Sequence, residues 1–578
     1  MARHSRKRSP APILTLSLLC TAMIFGRAPA GRAHDARETH RPDPCQQIVS
    51  VPGEAHGLGR QCDSKGGGAG VAKGDFNGDG IADLAVGSPF ETVANIASAG
   101  AVHILFGSAT GLTATDNQLW TESALSGGAG PEASDLFGLA LASGDFDGDG
   151  ASDLAIGVPG QDCVDSSTRK VIADCGAVHI LYGTSPGGLT TSRYQYLKGY
   201  EASARFGAAL VWGNFNGDTF GDLAVGYPDI DRDILFTHES GGLNVYYGSA
   251  SGLQKTLGAQ VVGQGETANG AVDAGDSAET DDHFGDVLAA GDVNGDGYDD
   301  LIVGVPDEDV GWVPDAGMVV VLFGSPSGFS SNHNQLIDQS VSGVNGSPEN
   351  YDRMGWSLAV GDFNGDGFAD VAVGVPFEDI GNVVDAGAVQ IFNGSNTGLR
   401  TDTDRSFDQS AFGGGHVEAG DKFGWSLAAA KFNADSLFDL AIGSPGEDLN
   451  SSSAFIRDIG EVHVALGSST GIQMTTGAQG WILGNGGITQ PAAANDQFGF
   501  SLTAWNFGNG PRADLVIGIP YREVTLSTGT VVSDAGALLV LYGQTNGLST
   551  SGQQFWTLAS PDVLGSPQTL GRFGYSLY

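Results

Sequence analysis

Asp362, Asn364, Asp366 and Asp370 occupy positions one, three, five and nine of a short run, Asp-Phe-Asn-Gly-Asp-Gly-Phe-Ala-Asp. With the backbone carbonyl of Phe368 at position seven, they make a compact set of oxygen donors for a hard cation. Calcium suits such a set, because it accepts six to eight oxygens in flexible geometry, whereas magnesium demands a stricter octahedron and retained water. Zinc would favour histidine or cysteine, and the run has neither. Gly365 and Gly367 let the backbone fold sharply between ligands.

The same chemistry recurs in Asp75, Asn77, Asp79, Ile81 (carbonyl) and Asp83; in Asp145, Asp147, Asp149, Ala151 (carbonyl) and Asp153; and in Asp292, Asn294, Asp296, Tyr298 (carbonyl) and Asp300. A weaker copy holds Asn214, Asn216, Asp218, Phe220 (carbonyl) and Asp222, with two acids and no glycine at position six. A sixth copy begins at Lys431, whose ammonium would occupy or oppose the cation position, and a seventh at Asn506 has lost most donors. The expectation is about four calcium ions, or five if the Asn214 loop binds. Asn/Asp/Gly turns are common in their own right, but four full copies in one register point to cations, and to a stabilising rather than a catalytic role. An EF-hand is disfavoured: it needs an acid at position twelve, where these copies carry Val86, Ile156, Val303 and Val373.

Seven copies spaced 69 to 78 residues apart mean a modular array. In the fifth unit, Met354 to Gly361, Val371 to Pro376 and Gly387 to Phe392 read as three strands, with a less regular fourth near Arg405 to Gln409. A four-stranded antiparallel sheet that is apolar on both faces must pack against its neighbours, and seven sheets packed radially make a β-propeller. The fold class is therefore all-β, a seven-bladed β-propeller of four-stranded antiparallel blades with calcium-binding hairpin loops. The 91 glycines, spread along the chain without a collagen period, serve its many turns.

Phe137-Gly138, Phe206-Gly207, Phe284-Gly285, Phe423-Gly424 and Phe498-Gly499, with Met354-Gly355 as a variant, each precede an acidic loop that is followed by Gly-x-Pro. This pattern resembles the FG-GAP repeat of the integrin α-subunit N-terminal β-propeller, from about Gly66 to the end. The resemblance implies a calcium-loaded extracellular propeller. Phe573-Gly574-Tyr575-Ser576-Leu577 reads as one more first strand, while Gly67-Gly68 stands where the first Phe-Gly is expected. Either the last strand closes the ring on the first blade or the sequence stops inside a longer protein.

Residues 1–30 read as a signal peptide, with Arg3, Arg6, Lys7 and Arg8 ahead of an apolar stretch from Ile13 to Phe25 and Ala28-Pro29-Ala30. Residues 31–64 form an N-terminal segment and 65–578 the propeller, seven repeats plus a partial terminal one. Removing 1–30 takes five cations and no acid, so the formal charge moves from -40 to -45. Nucleic acid and anionic membranes would be repelled, and no later apolar run is long enough for a membrane span. Two local disulfides are expected, Cys45 with Cys62 and Cys163 with Cys175, although four cysteines allow three connectivities. Asn345, Asn393 and Asn450 begin glycosylation sequons.

No catalytic motif lies in a convincing context. Gly183 to Gly187 and Gly467 to Gly471 match Gly-x-Ser-x-Gly but coincide with a turn of the repeat, not a strand-to-helix elbow. His103, His179 and His463 sit at one equivalent position of three different units, which repeat symmetry explains. Lys73-Gly74-Asp75 opens a calcium loop. The expectation is a secreted module, not an enzyme, that binds an extracellular protein or glycan in adhesion, through loops such as Asp162 to Asp174, Asp229 to Glu239 and Asn450 to Asp458. The alternative is a secreted hydrolase, phospholipase-like or glycan-acting, with the propeller as scaffold, since FG-GAP repeats also accompany a phospholipase D acting on glycosylphosphatidylinositol anchors.

Overall fold

The apolar run behind each acidic loop becomes a fully buried strand, Asp370–Val375 in the fifth unit. It pairs antiparallel with Ser357–Gly361 on one side and Ala388–Asn393 on the other, and Arg400–Phe407 completes the sheet. These observations come from a computed structural model. It describes residues 74–578 except 126–129, 166, 231–238, 256–258, 266–270, 414–415 and 452–453, all within one compact unit, Ser50–Tyr578. The expected signal peptide, the 31–64 segment, Cys45 and Cys62 lie outside the described residues.

Seven such sheets follow one another, and the first strands of neighbouring blades approach each other, which places them around the axis. Among the described residues there is no α-helix. The first blade takes its innermost strand from the other end of the chain: Leu84–Ser88 pairs with Ser576–Leu577, and Ala85 and Tyr578 exchange backbone hydrogen bonds of 2.9 and 3.0 Å. Phe573-Gly574 thus supplies the Phe-Gly that Gly67-Gly68 lacks. The third blade adds a short parallel strand, Val272–Asp273, outside its fourth. Cys163 and Cys175 form the expected disulfide across the base of a small hairpin.

Two boundaries of the fifth unit move from their expected places. Its first strand starts at Ser357 rather than Met354, because the Met354 N–H donates to Ala316 of the preceding blade and Trp356 closes a turn onto Arg353. Its fourth strand starts at Arg400 rather than Arg405, because a register shift between Ile391 and Asn393 lets pairing begin directly after the turn.

The two sequence signatures meet between blades. A Cβ at Gly374, in Gly-x-Pro of blade five, would overlap the carbonyl oxygen of Gly424, in Phe-Gly of blade six. The same overlap arises for Gly87 with Gly138, Gly157 with Gly207, Gly226 with Gly285, Gly304 with Gly355, Gly443 with Gly499 and Gly518 with Gly574. Because the obstacle is backbone, it cannot swing aside. Gly374→Ala should lower stability by about 1–3 kcal/mol in urea unfolding. Gly510→Ala, whose new Cβ would find its nearest neighbour at 3.7 Å, should leave the midpoint unchanged; equal effects would contradict the contact.

Candidate metal centre

In blades two to seven the run joins the first strand to the second, in blade one it leads into the second strand, and each run folds on itself through its own side-chain oxygens. In the first loop the Asp79 and Gly80 N–H groups donate to Asp75 Oδ1 (3.0 Å) and Oδ2 (2.8 Å). Asp79 N–H also donates to Asn77 Oδ1 (2.9 Å), and Ile81 N–H to Asp79 Oδ1 (2.9 Å). The same ladder runs through Asp292, Asn294, Asp296 and Tyr298, and through Asp362, Asn364, Asp366 and Phe368. In the second loop, one oxygen each of Asp145, Asp147 and Asp149 lies within 4.8 Å of the others. The donors are carboxylate and amide oxygens with no nitrogen or sulfur, and this set fits calcium.

Position nine has a duty of its own. Asp83 is buried, and its two oxygens accept from Phe76 N–H (2.9 Å) and Gly107 N–H (2.8 Å), tying the loop to the turn after the third strand. Asp153, Asp222, Asp300, Asp370, Asp439 and Asp514 repeat this pair of bonds. Asp439 and Asp514 do so in loops that have lost the position-one acid, which is Lys431 in one and Asn506 in the other. Burial pushes the carboxyls of Asp83, Asp370 and Asp514 up to about 8, against the pull of the two N–H donors. Burial likewise lifts Asp75, Asp145 and Asp292 at position one.

The loops are also joined to one another. The position-eight N–H of each donates to the position-one carbonyl of the loop before it: Ser152 to Asp75 (2.8 Å), Gly221 to Asp145 (2.8 Å), Asp299 to Asn214 (3.0 Å), Ala369 to Asp292 (3.0 Å) and Phe438 to Asp362 (3.1 Å). Ala513 to Lys431 and Ala82 to Asn506 complete the ring. In the weaker third loop, the Asn214 amide donates to Asp218 carbonyl oxygen at 2.7 Å. Lys431 sets its ammonium 4.8 Å from the centre of the Phe438 ring. Arg193, from the fourth strand of blade two, touches Asp147 and brings a positive charge to the second loop.

A second feature, at the opposite end of the first strands, was missed in the sequence. Arg353, Lys422 and Arg572 directly precede a Met-Gly or Phe-Gly, and Trp356, Trp425, Phe500 and Tyr575 directly follow one. Trp356 and Trp425 lie 4.6 Å apart, Trp425 and Phe500 5.7 Å, and Phe500 and Tyr575 5.0 Å between ring centres. Lys422 sits over Trp425 and Phe377, Arg353 over Trp356, and Arg572 over Phe90 and Tyr521. Aligning the units on Phe-Gly would have exposed this belt of rings and cations. The three histidines do occupy equivalent register positions, each with its own neighbours: His103 Nε2 meets Glu91 (3.2 Å), His179 Nδ1 meets Tyr194 (2.7 Å), and His463 lies 3.5 Å from Glu461. Ser185 and Ser469 both fall in turns between third and fourth strands.

The FG-GAP repeat family model matches residues 67–105, 137–181, 284–322, 354–392 and 423–464. These are FG-GAP repeats. The matched stretches include the four full loops and the Lys431 loop of blade six, and omit blades three and seven. Human phosphatidylinositol-glycan-specific phospholipase D is 26% identical over 460 residues, covering 76% of this chain and 50% of that protein. Drosophila melanogaster integrin alpha-PS2 is 30% identical over 246 residues, covering 41% of this chain and 15% of that one. A Bacillus licheniformis rhamnogalacturonan lyase superposes with a TM-score of 0.32 at 12% identity, over 82% of this chain and 87% of that one. The chain spans about half the length of the phospholipase relatives it matches along most of its own length. That match corrects the expectation of a module that is not an enzyme: the relatives aligned across most of these FG-GAP repeats are named as phospholipases.

Asp514→Asn should cost about 1–3 kcal/mol, because one of two buried N–H donors loses its acceptor. As the seventh loop keeps only Asn506 of the other side-chain donors, the loss should be the same in calcium and in chelator when followed by thermal melting. A loss confined to calcium would show that this loop holds an ion.

Proposed function

We propose that the chain works outside the cell as the calcium-loaded propeller of a phospholipase D-like hydrolase, engaging substrates that carry a phosphatidylinositol-glycan. The observation that carries this reading is the match along 76% of the chain to relatives of that name. Calcium occupies the loops of blades one, two, four and five in this reading, held by Asp75, Asp145, Asp292 and Asp362 and their partners. Its contribution is charge neutralisation: a cation offsets the repulsion among acids gathered in one turn. The formal charge of -40 supports neither a nucleic-acid partner nor an anionic surface. No helix among the described residues is long and apolar enough to cross a membrane.

A second reading, a binding module for an extracellular protein, is supported by Arg353, Lys422, Trp425 and Arg572, which are partly exposed over an otherwise buried layer of rings on an acidic molecule. One assay separates the two. The full-length chain is incubated with vesicles carrying a phosphatidylinositol-glycan-anchored alkaline phosphatase, in calcium and in chelator. Calcium-dependent release of the phosphatase, leaving phosphatidic acid behind, is the expected result; neither release nor retention of the chain on the vesicles would overturn the first reading. A Lys422→Ala/Trp425→Ala variant should release the phosphatase normally but lose retention on cells if the belt docks a protein.

A further inference from the structure

Blade two departs from the repeat at one point. Residues 121–136 join the fourth strand of blade one to Phe137, and 557–572 join that of blade seven to Phe573, but only 199–205 join Lys198 to Phe206. Elsewhere this connection covers the third strand of the next blade. Leu564 carbonyl oxygen meets His103 Nδ1 (3.2 Å), Glu122 approaches His179 (3.9 Å), Gln390 Nε2 donates to Asn345 carbonyl oxygen (2.8 Å), and Phe412 packs on His463 at 4.6 Å between ring centres. The equivalent residue of blade three is Asn244, and its cover is the shortened connection. A cavity of about 740 Å³ opens there, within the 300–1,000 Å³ range of small-molecule sites.

We propose that this cavity between blades two and three binds a neutral pyranose, the terminal unit of a glycan. Tyr196, Tyr200, Phe206, Tyr227 and Tyr246 bring aromatic rings to its described walls, and a pyranose has one face of C–H bonds that lies flat on such rings. Polar groups stand between them. Tyr227 Oη donates to Asn244 Oδ1 (2.9 Å), and the Asn244 amide reaches Tyr246 Oη (3.4 Å). Lys198 and Lys255 line the site on one count of charge, Asp162 and Glu201 on the other. Two charges of each sign favour a neutral ligand rich in hydroxyls over an ion. Each ammonium is anchored by one backbone carbonyl, of Val164 (2.9 Å) and Tyr196 (2.6 Å), and an ammonium has three donors. Tyr200 is 76% exposed at the rim, a large apolar surface left in water beside an opening. This site is independent of the phospholipase and docking readings, since it uses neither the metal loops nor the belt.

The test is saturation-transfer NMR on the full-length chain with the methyl glycosides of glucose, galactose, mannose and N-acetylglucosamine, followed by calorimetry of those that bind. At least one should bind, with the strongest transfer at its ring C–H protons. Tyr200→Ala should weaken that glycoside at least tenfold without changing the melting midpoint, and Asn244→Leu should do the same at the cavity floor. No transfer to any of the four, or affinity unchanged in both variants, overturns the proposal.

Discussion

Seven times around the ring, the glycine near the end of one blade's second strand lies against the carbonyl of the glycine that leads into the next blade's first strand. No side chain fits between them, so the spacing of blades at this end is set by backbone on backbone. Interiors this closely packed transmit displacement instead of absorbing it. The Gly518–Gly574 contact belongs to the same series, which is why a chain whose first Phe-Gly is absent must recruit Phe573-Gly574 to close the circle. The aromatic and cationic side chains flanking Phe-Gly are gathered into a belt by the same contact.

At the other end of the first strands the blades are spaced by polar groups. The loop-to-loop hydrogen bonds form their own ring, and the position-nine carboxylates pin each loop to its blade. Those seven bonded pairs persist where cation donors have gone, so the loop's shape does not require an ion. What an ion would supply is relief of charge: Asp75, Asp145 and Asp292 and the position-nine acids are buried enough to resist ionising, and in the proposed calcium-loaded form the cation holds them as carboxylates. Ordering of one loop is then felt by its neighbours through a single N–H···O=C bond on each side.

The fold was legible because its signals are local and repeated. Alternating apolar residues fixed the strands, Gly-x-Pro ended them, and a spare Phe573-Gly574 anticipated closure. The loop donors were equally plain, since Asp, Asn and Gly at fixed spacing leave few chemistries. Less visible was the double duty of position nine, because a carboxylate bound to two N–H groups looks in sequence like any other loop acid; its retention as Asp439 and Asp514 in loops without a position-one acid was the available clue. The belt of Arg353, Lys422 and Arg572 with Trp425 and Phe500 escaped notice because its members come from different blades. The cavity beside Asn244 was harder still, being produced by residues that are missing from one connection.

Native mass spectrometry of the full-length chain, exchanged into calcium at low free concentration and then into chelator, tests the central claim most directly. The account predicts four tightly held ions, one for each complete loop, and their loss one site at a time when Asp79, Asp149, Asp296 and Asp366 are changed to Ala in turn. No retained calcium, or ions that survive all four substitutions, would contradict it.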